Sequence, residues 1–294
     1  MILQRQLFAK KIPLLTKFFL FVSVVLLAYV VIAQTILIPR AISMQYDHHL
    51  KPAFKLLSAK FNAVSASSGL PAYNDPYTDG QAARKELLAT QKLIAETEVS
   101  LLNYQQQADK LPGSPLATHS ESYKKAEVIR TRAKYVMLQS SEVLSGYKEL
   151  TAYLLDVNTA RTVLKNSATD INDLTDLTRL AGQGDVIAKR ATQLSGTLDA
   201  LKKTHAPTGF AEYHAALIVS FEQGLFGLTE ISNGLYASDD SQVNAGAGFL
   251  EQAILKIESS DNALFTTAAN RSVTLNETSE LADKIDSLQP FLGQ

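Results

Sequence analysis

The stretch that decides the fold is FFLFVSVVLLAYVVIAQTILIP, residues 18–39, which contains no charged side chain. As a helix rising about 1.5 Å per residue, it would extend roughly 33 Å, enough to cross a hydrocarbon core of about 30 Å. A helix buried in a soluble domain seldom needs so long an uncharged run. The sequence therefore predicts a membrane-spanning helix, with everything after residue 39 placed on one side of a bilayer.

The same stretch also fits a secretory signal peptide. It has a basic start, an apolar core and the small-residue sequence Val-Ile-Ala at 31–33, before a possible cut. Against cleavage, the apolar pattern continues through residues 36–38, as a span requires. We favour an uncleaved signal-anchor, and a mature N-terminus at Gln34 would contradict it.

Charge around this stretch predicts its orientation. Only Arg40 and Lys51 follow it closely, whereas four basic residues and no acidic residue precede it: Arg5, Lys10, Lys11 and Lys17. Because basic flanks stay in the cytoplasm, we expect a single-pass protein of the cell membrane with residues 1–17 inside and the C-terminal domain outside. The absence of cysteine agrees with that placement, and it excludes disulfides and thiolate metal sites.

The overall charge argues against nucleic acid as a partner. The chain has 294 residues with 28 basic and 29 acidic side chains, and residues 1–39 hold four of the basic ones and no acidic one. The outer part therefore carries 24 basic and 29 acidic residues, a net charge of −5. Such a balance lacks the basic surface that phosphate binding requires.

After Arg40 the apolar residues follow helical spacing almost everywhere, which predicts an all-α fold. A first helix continues from the span or restarts near Ile42. In the next segment, Leu87, Ile94 and Leu101 fall seven residues apart, and Pro112 ends the pattern. Further helices are predicted from 121 to beyond 154, over 187–201 and over 210–235. After a turn at 238–241, the last helices are predicted over 249–264 and 281–288, ending at Pro290. Helices of such length indicate an elongated multi-helix bundle.

Proline and glycine punctuation divides the chain, with breaks at Pro112, at Pro207 and at Pro290. The intervals between the breaks are similar, but residue identity between them is poor, so a tandem repeat and chance punctuation both remain open. The predicted regions are the N-terminus 1–17, the span 18–39, membrane-proximal helices 40–112, helical unit 113–207 and helical unit 208–294.

Some short motifs suggest catalysis, but the other residues that such a site requires are absent from the sequence. Ser145 and Lys148, like Ser122 and Lys125, fit the Ser-x-x-Lys pattern of serine β-lactamases and penicillin-binding proteins, and 260–262 reads Ser-Asp-Asn. That family also needs a strand carrying Lys-Thr-Gly, and this chain contains no such tripeptide. We predict that the protein is not an enzyme.

Metal and phosphate sites are not predicted either. Neighbouring His48 and His49 point about 100° apart on a helix, so they do not form a chelating pair. His214 shares a stripe with Phe210 and Leu217, which is typical of a hydrogen-bonded core histidine. The aspartates at 170, 173 and 176 lack the glycine and glutamate of a calcium loop. Ala-Gly-Ala-Gly at 245–248 has no lysine and no preceding strand, so close helix packing explains it better than phosphate binding.

One stretch carries a resemblance to known proteins. It runs from Pro207 through Gly209-Phe210, Tyr213-His214, Leu225 and Leu228 to Phe249-Leu250. This stretch resembles helical hairpins of membrane-anchored bacterial extracytoplasmic helical-bundle proteins without an assigned activity. A single span with a helical exterior is also similar to chemoreceptor-type sensor ectodomains, although the second span and a cytoplasmic output domain are missing.

The expected function is a non-catalytic binding, scaffold or spacer role at the cell envelope, with the membrane and an envelope protein or polymer as partners and no cofactor. The alternative is a helical domain that senses or delivers a ligand together with a separate membrane protein. Oligomeric state is left open. The loop 67–80 is either a simple connector, as most surface loops of this composition are, or the place where binding occurs, because it is long and rigidified by proline. Its candidate contact residues are Tyr73, Asn74, Asp75, Tyr77 and Asp79.

Overall fold

The computed structural model describes residues 18–67, 80–111, 121–169 and 183–271. Within these ranges the chain forms six helices and no strand, which confirms the all-α prediction. The first helix, α1, covers residues 18–67. The others are α2 (Gly80–Asp109), α3 (Glu121–Thr169), α4 (Gly184–Lys203), α5 (Ala211–Ala237) and α6 (Asp240–Arg271).

Helix α1 is continuous, but two of its turns are π-helical: Ala33–Leu37 and Tyr46–Leu50. Each ends two residues before a proline, Pro39 and Pro52. Inside an α-helix a proline ring clashes with the carbonyl four residues earlier. A π-turn widens the backbone at that point and so lets the helix pass through each proline without breaking. The first exterior helix therefore continues from the apolar stretch and does not restart near Ile42.

The first part of α1 is exposed and apolar. Among the described residues, α1 alone is long and apolar enough to cross a membrane, and none of that window is buried by the rest of the described chain. Leu20 and Leu27, for example, are 66% and 68% exposed. Side chains of this kind are stable in contact with lipid and costly in water.

The chain divides into two compact units, and the first comprises Met1–Leu57, Ser100–Leu138 and Pro290–Gln294. Its described core is apolar, and includes Phe54 of α1 packed against Tyr104 of α2 with ring centroids 5.7 Å apart. Gln45 of α1 donates from Nε2 to the Gln107 carbonyl at 3.1 Å. From α3, Arg130 donates to the Leu111 carbonyl at 2.9 Å. Portions of three helices are thus joined within this unit.

The second unit comprises Ser58–Val99 and Gln139–Gln289. Its core is built mainly from α3, α4, α5 and α6. The large apolar side chains at 0% exposure include Leu194, Phe210, Phe221, Leu228 and Ile231. Ion pairs lie on its surface, among them Lys148–Glu98 at 3.2 Å and Lys202–Glu222 at 2.7 Å. Exposed pairs of this type add little stability, so the apolar core holds the unit together.

Helices α5 and α6 cross at glycines. A Cβ atom added to Gly246 would lie 2.7 Å from the Gly227 carbonyl oxygen and 2.7 Å from the Ile231 amide nitrogen. Since both neighbours are backbone atoms, no side chain fits there. The prediction that the Ala-Gly-Ala-Gly sequence serves helix packing is confirmed at Gly246. It does not extend to Gly248, whose added Cβ would meet nothing within 4 Å.

The predicted turn between these two helices is also present. Helix α5 ends at Ala237, and Ser238 adopts the left-handed conformation with φ 57°. Asp239 then caps α6, because its Oδ1 accepts from the amides of Ser241 at 2.9 Å and Gln242 at 3.1 Å.

Two predictions about the organisation of the chain stay open. The comparison of 113–207 with 208–290 reaches into 272–294, outside the described residues, so the tandem repeat remains a prediction. So does the elongated shape of the bundle. The helix expected near residue 281 falls outside the described part of the chain as well.

Candidate functional site

The loop predicted for binding lies outside the described residues. Helix α1 ends at Ser67 and α2 begins at Gly80, so Tyr73, Asn74, Asp75, Tyr77 and Asp79 fall between them in the undescribed range 68–79. Their role in binding stays a prediction. The downstream end of this loop, however, is described.

That end is tied to α3 by a buried amide. Asn158, which is 4% exposed, donates from Nδ2 to the Gly80 carbonyl at 2.9 Å. A Cβ atom on Gly80 would lie 2.9 Å from Oγ1 of Thr162, so the two backbones approach closely here. The hydrogen bond gives the buried Asn158 amide a partner and ties the start of α2 to α3 within the second unit.

Replacing Asn158 with alanine is expected to lower the free energy of unfolding by about 1–2 kcal/mol, because the hydrogen bond between the buried Asn158 amide and the Gly80 carbonyl is lost. Urea unfolding of the full chain in detergent measures the change. Thr159→Ala is the matched control, since that exposed hydroxyl bonds only to Leu155 of its own helix. Equal losses in both variants would show that the tie contributes no stability.

A second polar feature, the Tyr153 cluster, lies in the core of the second unit. It consists of Tyr153 and Arg161 from α3, Tyr213 and His214 from α5, and Phe210 at the start of α5. Arg161 donates from Nη1 to the Tyr213 hydroxyl at 3.2 Å, and the Tyr153 hydroxyl lies 3.4 Å from Nδ1 of His214. The ring of Tyr153 also packs edge-on against Phe210 with centroids 5.7 Å apart. Arg161 is only 7% exposed and Tyr213 only 1%.

Burial sets the electrostatics of this cluster. It raises the pKa of Tyr153 well above its ordinary value, and negative charge on Tyr213 would raise it further. The pKa of His214 is lowered, first by loss of hydration, with a contribution from the positive charge of His205; a hydrogen bond to the Leu201 backbone acts in the opposite direction. Near neutral pH, Tyr153 therefore carries its proton and His214 is uncharged.

Chemically, the cluster holds an imidazole and a guanidinium in defined positions against an apolar core. The hydrogen-bond partners of His214 are a phenol and a backbone carbonyl. Neither is the carboxylate that orients the histidine of a catalytic triad. The hydrogen bonds predicted for His214 are present, but its side chain is half-buried at the edge of the core and does not lie within it.

Sequence reasoning missed Tyr153 and Arg161, although a signal was present. Val157, Arg161 and Leu164 share one face of α3, and the two apolar members are 2% exposed. A charged residue on an apolar stripe is either buried with partners or exposed at its edge. Only the structure places Arg161 against Tyr213.

Stability should depend on pH through His214. Because its folded pKa is below its ordinary value of 6.5, the unfolded state binds more protons than the folded state once the pH falls below about 6.5. The contribution to stability is complete above that pH and decreases as the pH falls towards the folded pKa. We expect urea midpoints of wild type and His214→Gln to run parallel above about pH 7.5 and the wild type to fall more steeply below about pH 6.5. Parallel curves throughout would contradict this assignment.

The remaining motifs are dispersed. Lys148 forms an ion pair with Glu98 on the surface, which is not a contact that would activate Ser145 as a nucleophile. His48 and His49 are both exposed on a π-turn of α1, and residues 170–176 lie outside the described range. Across the described ranges, histidine, aspartate and glutamate form no group of three that could hold a metal ion.

In the described part of the first unit, two buried side-chain atoms have no hydrogen-bond partner: the hydroxyl oxygen of Tyr46 and Nε of Arg130. Burial raises the pKa of Tyr46 and, aided by negative charge on Tyr46, raises that of Tyr104 to about 12. Both phenols therefore stay protonated at neutral pH.

No family model matches this chain, and no significant match was found to a curated protein or to a solved structure.

Proposed function

We propose that the protein is a single-span, membrane-anchored helical protein whose extracytoplasmic part has a non-catalytic binding, scaffold or spacer role at the cell envelope. The observation that carries this proposal is the continuity of α1. One uninterrupted helix holds the exposed apolar residues 18–39 and then the buried Ile42, Leu50 and Phe54 of the first unit. An anchor that continues into the folded part ties the domain directly to the bilayer.

This continuity favours a retained anchor over a cleaved signal peptide. A cut after Ala33 would fall within a π-turn of an unbroken helix, nine residues before the buried Ile42. The exposed apolar side chains on both sides of that point would suit lipid equally. Intact mass of the mature protein tests the retained anchor, and a new N-terminus at Gln34 would contradict it.

A non-catalytic role is supported by the surroundings of the polar residues. Lys148 forms a surface ion pair, His214 bonds to a phenol and a carbonyl, and Asn158 holds a backbone carbonyl. Each of these contacts stabilises or positions helices.

Orientation can be tested directly because the chain contains no cysteine. Single cysteines at Lys10, in the basic N-terminus, and at Asn244, exposed on α6, provide matched reporters. With a membrane-impermeant maleimide on intact cells, we expect Asn244→Cys to be labelled at once and Lys10→Cys only after lysis. The reverse pattern would place the helical domain in the cytoplasm and overturn an envelope role.

The binding role is tested by cross-linking in intact cells. We expect an envelope protein or polymer to be captured by wild type and captured less by the double variant Tyr73→Ala, Tyr77→Ala, with helical content unchanged. Tyr135→Ala is the control, because Tyr135 is 54% exposed on α3 and belongs to no predicted binding loop. Equal capture by all three proteins would assign the loop 67–80 a connecting role only.

The alternative, a domain that senses or delivers a ligand with a separate membrane protein, is favoured by the Tyr153 cluster. A buried guanidinium beside a phenol is a group that also binds carboxylates and phosphates. Thermal shift with small carboxylates and phosphate esters tests it. Stabilisation that is lost in Arg161→Met would favour this alternative, and no stabilisation by any of these probes would favour the scaffold role.

A further inference from the structure

Apart from the amphipathic Tyr29, the apolar stretch contains three polar side chains, and two of them are satisfied within their own helix. Ser23 donates from Oγ to the Phe19 carbonyl at 2.8 Å, and Thr35 donates from Oγ1 to the Val31 carbonyl at 2.7 Å. Gln34 differs. Its amide is exposed and forms no hydrogen bond with any residue that the structure describes.

An unpaired amide is costly in lipid. Gln34 lies five to six residues from the middle of residues 18–39, or about 8 Å along the helix, which is inside a hydrocarbon core extending about 15 Å to each side. A primary amide carries two donors and an acceptor, and hydrocarbon offers partners to none of them. This step rests on the proposed membrane anchor. Within the membrane, another helix can supply the group that satisfies Gln34.

Gln34 also lies on a regular face of α1. Leu20, Ser23, Leu27, Val30 and Gln34 follow three-and-four spacing, and all five are exposed. We call this set the Gln34 face. It ends at Gln34, because the π-turn at Ala33–Leu37 shifts the helical register beyond it. Residues spaced in this way form the contact line between two helices.

We propose that two copies of this chain associate in the membrane through the Gln34 face, with the two Gln34 amides hydrogen-bonded to each other. A second copy fits because an amide is self-complementary. Across a two-fold axis, each Gln34 donates to the carbonyl oxygen of its partner and accepts in return. The same axis brings together Leu27 and Val30, which pack, and the small Ser23, which allows close approach.

Cysteine cross-linking in membranes tests this pairing on the full chain, which has no other cysteine. We expect Leu27→Cys to give an oxidative dimer of twice the chain mass. Val25→Cys, exposed outside the Gln34 face, is the control and should remain monomeric. In the Leu27→Cys background, Gln34→Leu should weaken association roughly 10- to 1000-fold, because both hydrogen bonds of the pair, each worth roughly 3- to 30-fold in a membrane, are lost together. Thr35→Val removes the neighbouring, self-satisfied hydroxyl and should leave the dimer unchanged.

The outcomes separate this inference from the proposed function. Carbonate extraction reports whether each variant is integrated in the membrane. An integrated chain that gives equal cross-linking at Val25→Cys and Leu27→Cys, or a dimer insensitive to Gln34→Leu, overturns the pairing while the anchor stands. A cross-linked product containing a different protein also overturns it. A chain released by carbonate overturns the anchor itself, and the pairing with it.

Discussion

Replacing Phe221 with alanine is expected to lower the free energy of unfolding by about 3–5 kcal/mol, the largest effect of any single substitution considered. Phe221, on α5, is 0% exposed and lies in the core cluster of the second unit. Truncation removes a large apolar surface from this core and leaves a cavity that rigid helices cannot collapse to fill.

The control for this prediction is Phe226→Ala, on the same helix. Phe226 is 50% exposed and contacts Phe249 edge-on, with ring centroids 5.0 Å apart. Its loss is expected to cost about 1 kcal/mol or less. Urea unfolding of the full chain in detergent compares the two. Similar losses at the two positions would mean that α5 does not present Phe221 to the core.

Replacing Gly246 with leucine is expected to cost about 3 kcal/mol or more, at the upper end of overpacking penalties. The side chain would enter the crossing of α5 and α6, where the Gly227 carbonyl and the Ile231 amide already occupy the space within 2.7 Å of the new Cβ. Backbone atoms cannot rotate away as a flexible side chain can, so the two helices must separate and lose packing along their contact.

Gly248→Leu is the matched control, two residues along the same helix. A Cβ atom there meets nothing within 4 Å, and leucine is a better helix former than glycine by about 0.5–1 kcal/mol. We expect this variant to be as stable as wild type or slightly more stable. Thermal unfolding by circular dichroism measures both variants, and a similar loss in each would show that helix packing at 245–248 does not depend on Gly246.

Much of the local structure was predictable because it follows from short-range rules. Apolar spacing placed the helix that begins at Gly80 and the long helix that ends at Thr169, and the turn at Ser238 was read from its residues. Proline predicted the ends of helices less reliably. Pro39 and Pro52 lie inside α1, where π-turns accommodate them, although proline usually ends a helix.

The polar contacts of the second unit were not predictable. Asn158 and Gly80 are 78 positions apart, and Arg161 and Tyr213 are 52 apart. Their partners depend on how α3 is rotated against α2 and α5. No spacing rule within one helix carries that information.

The sequence by itself determined the helical class, the position of the helix that can cross a membrane and most of the points where helices begin and end. These properties depend on hydrophobic periodicity and on the backbone chemistry of proline and glycine, which act over a few residues. Tertiary structure alone decided that Gly246 and not Gly248 lies at a helix crossing, that Arg161 is buried, and that Asn158 holds the end of the loop 67–80. Each of these is a contact between residues far apart in the chain, and only the packing of whole helices determines which atoms meet.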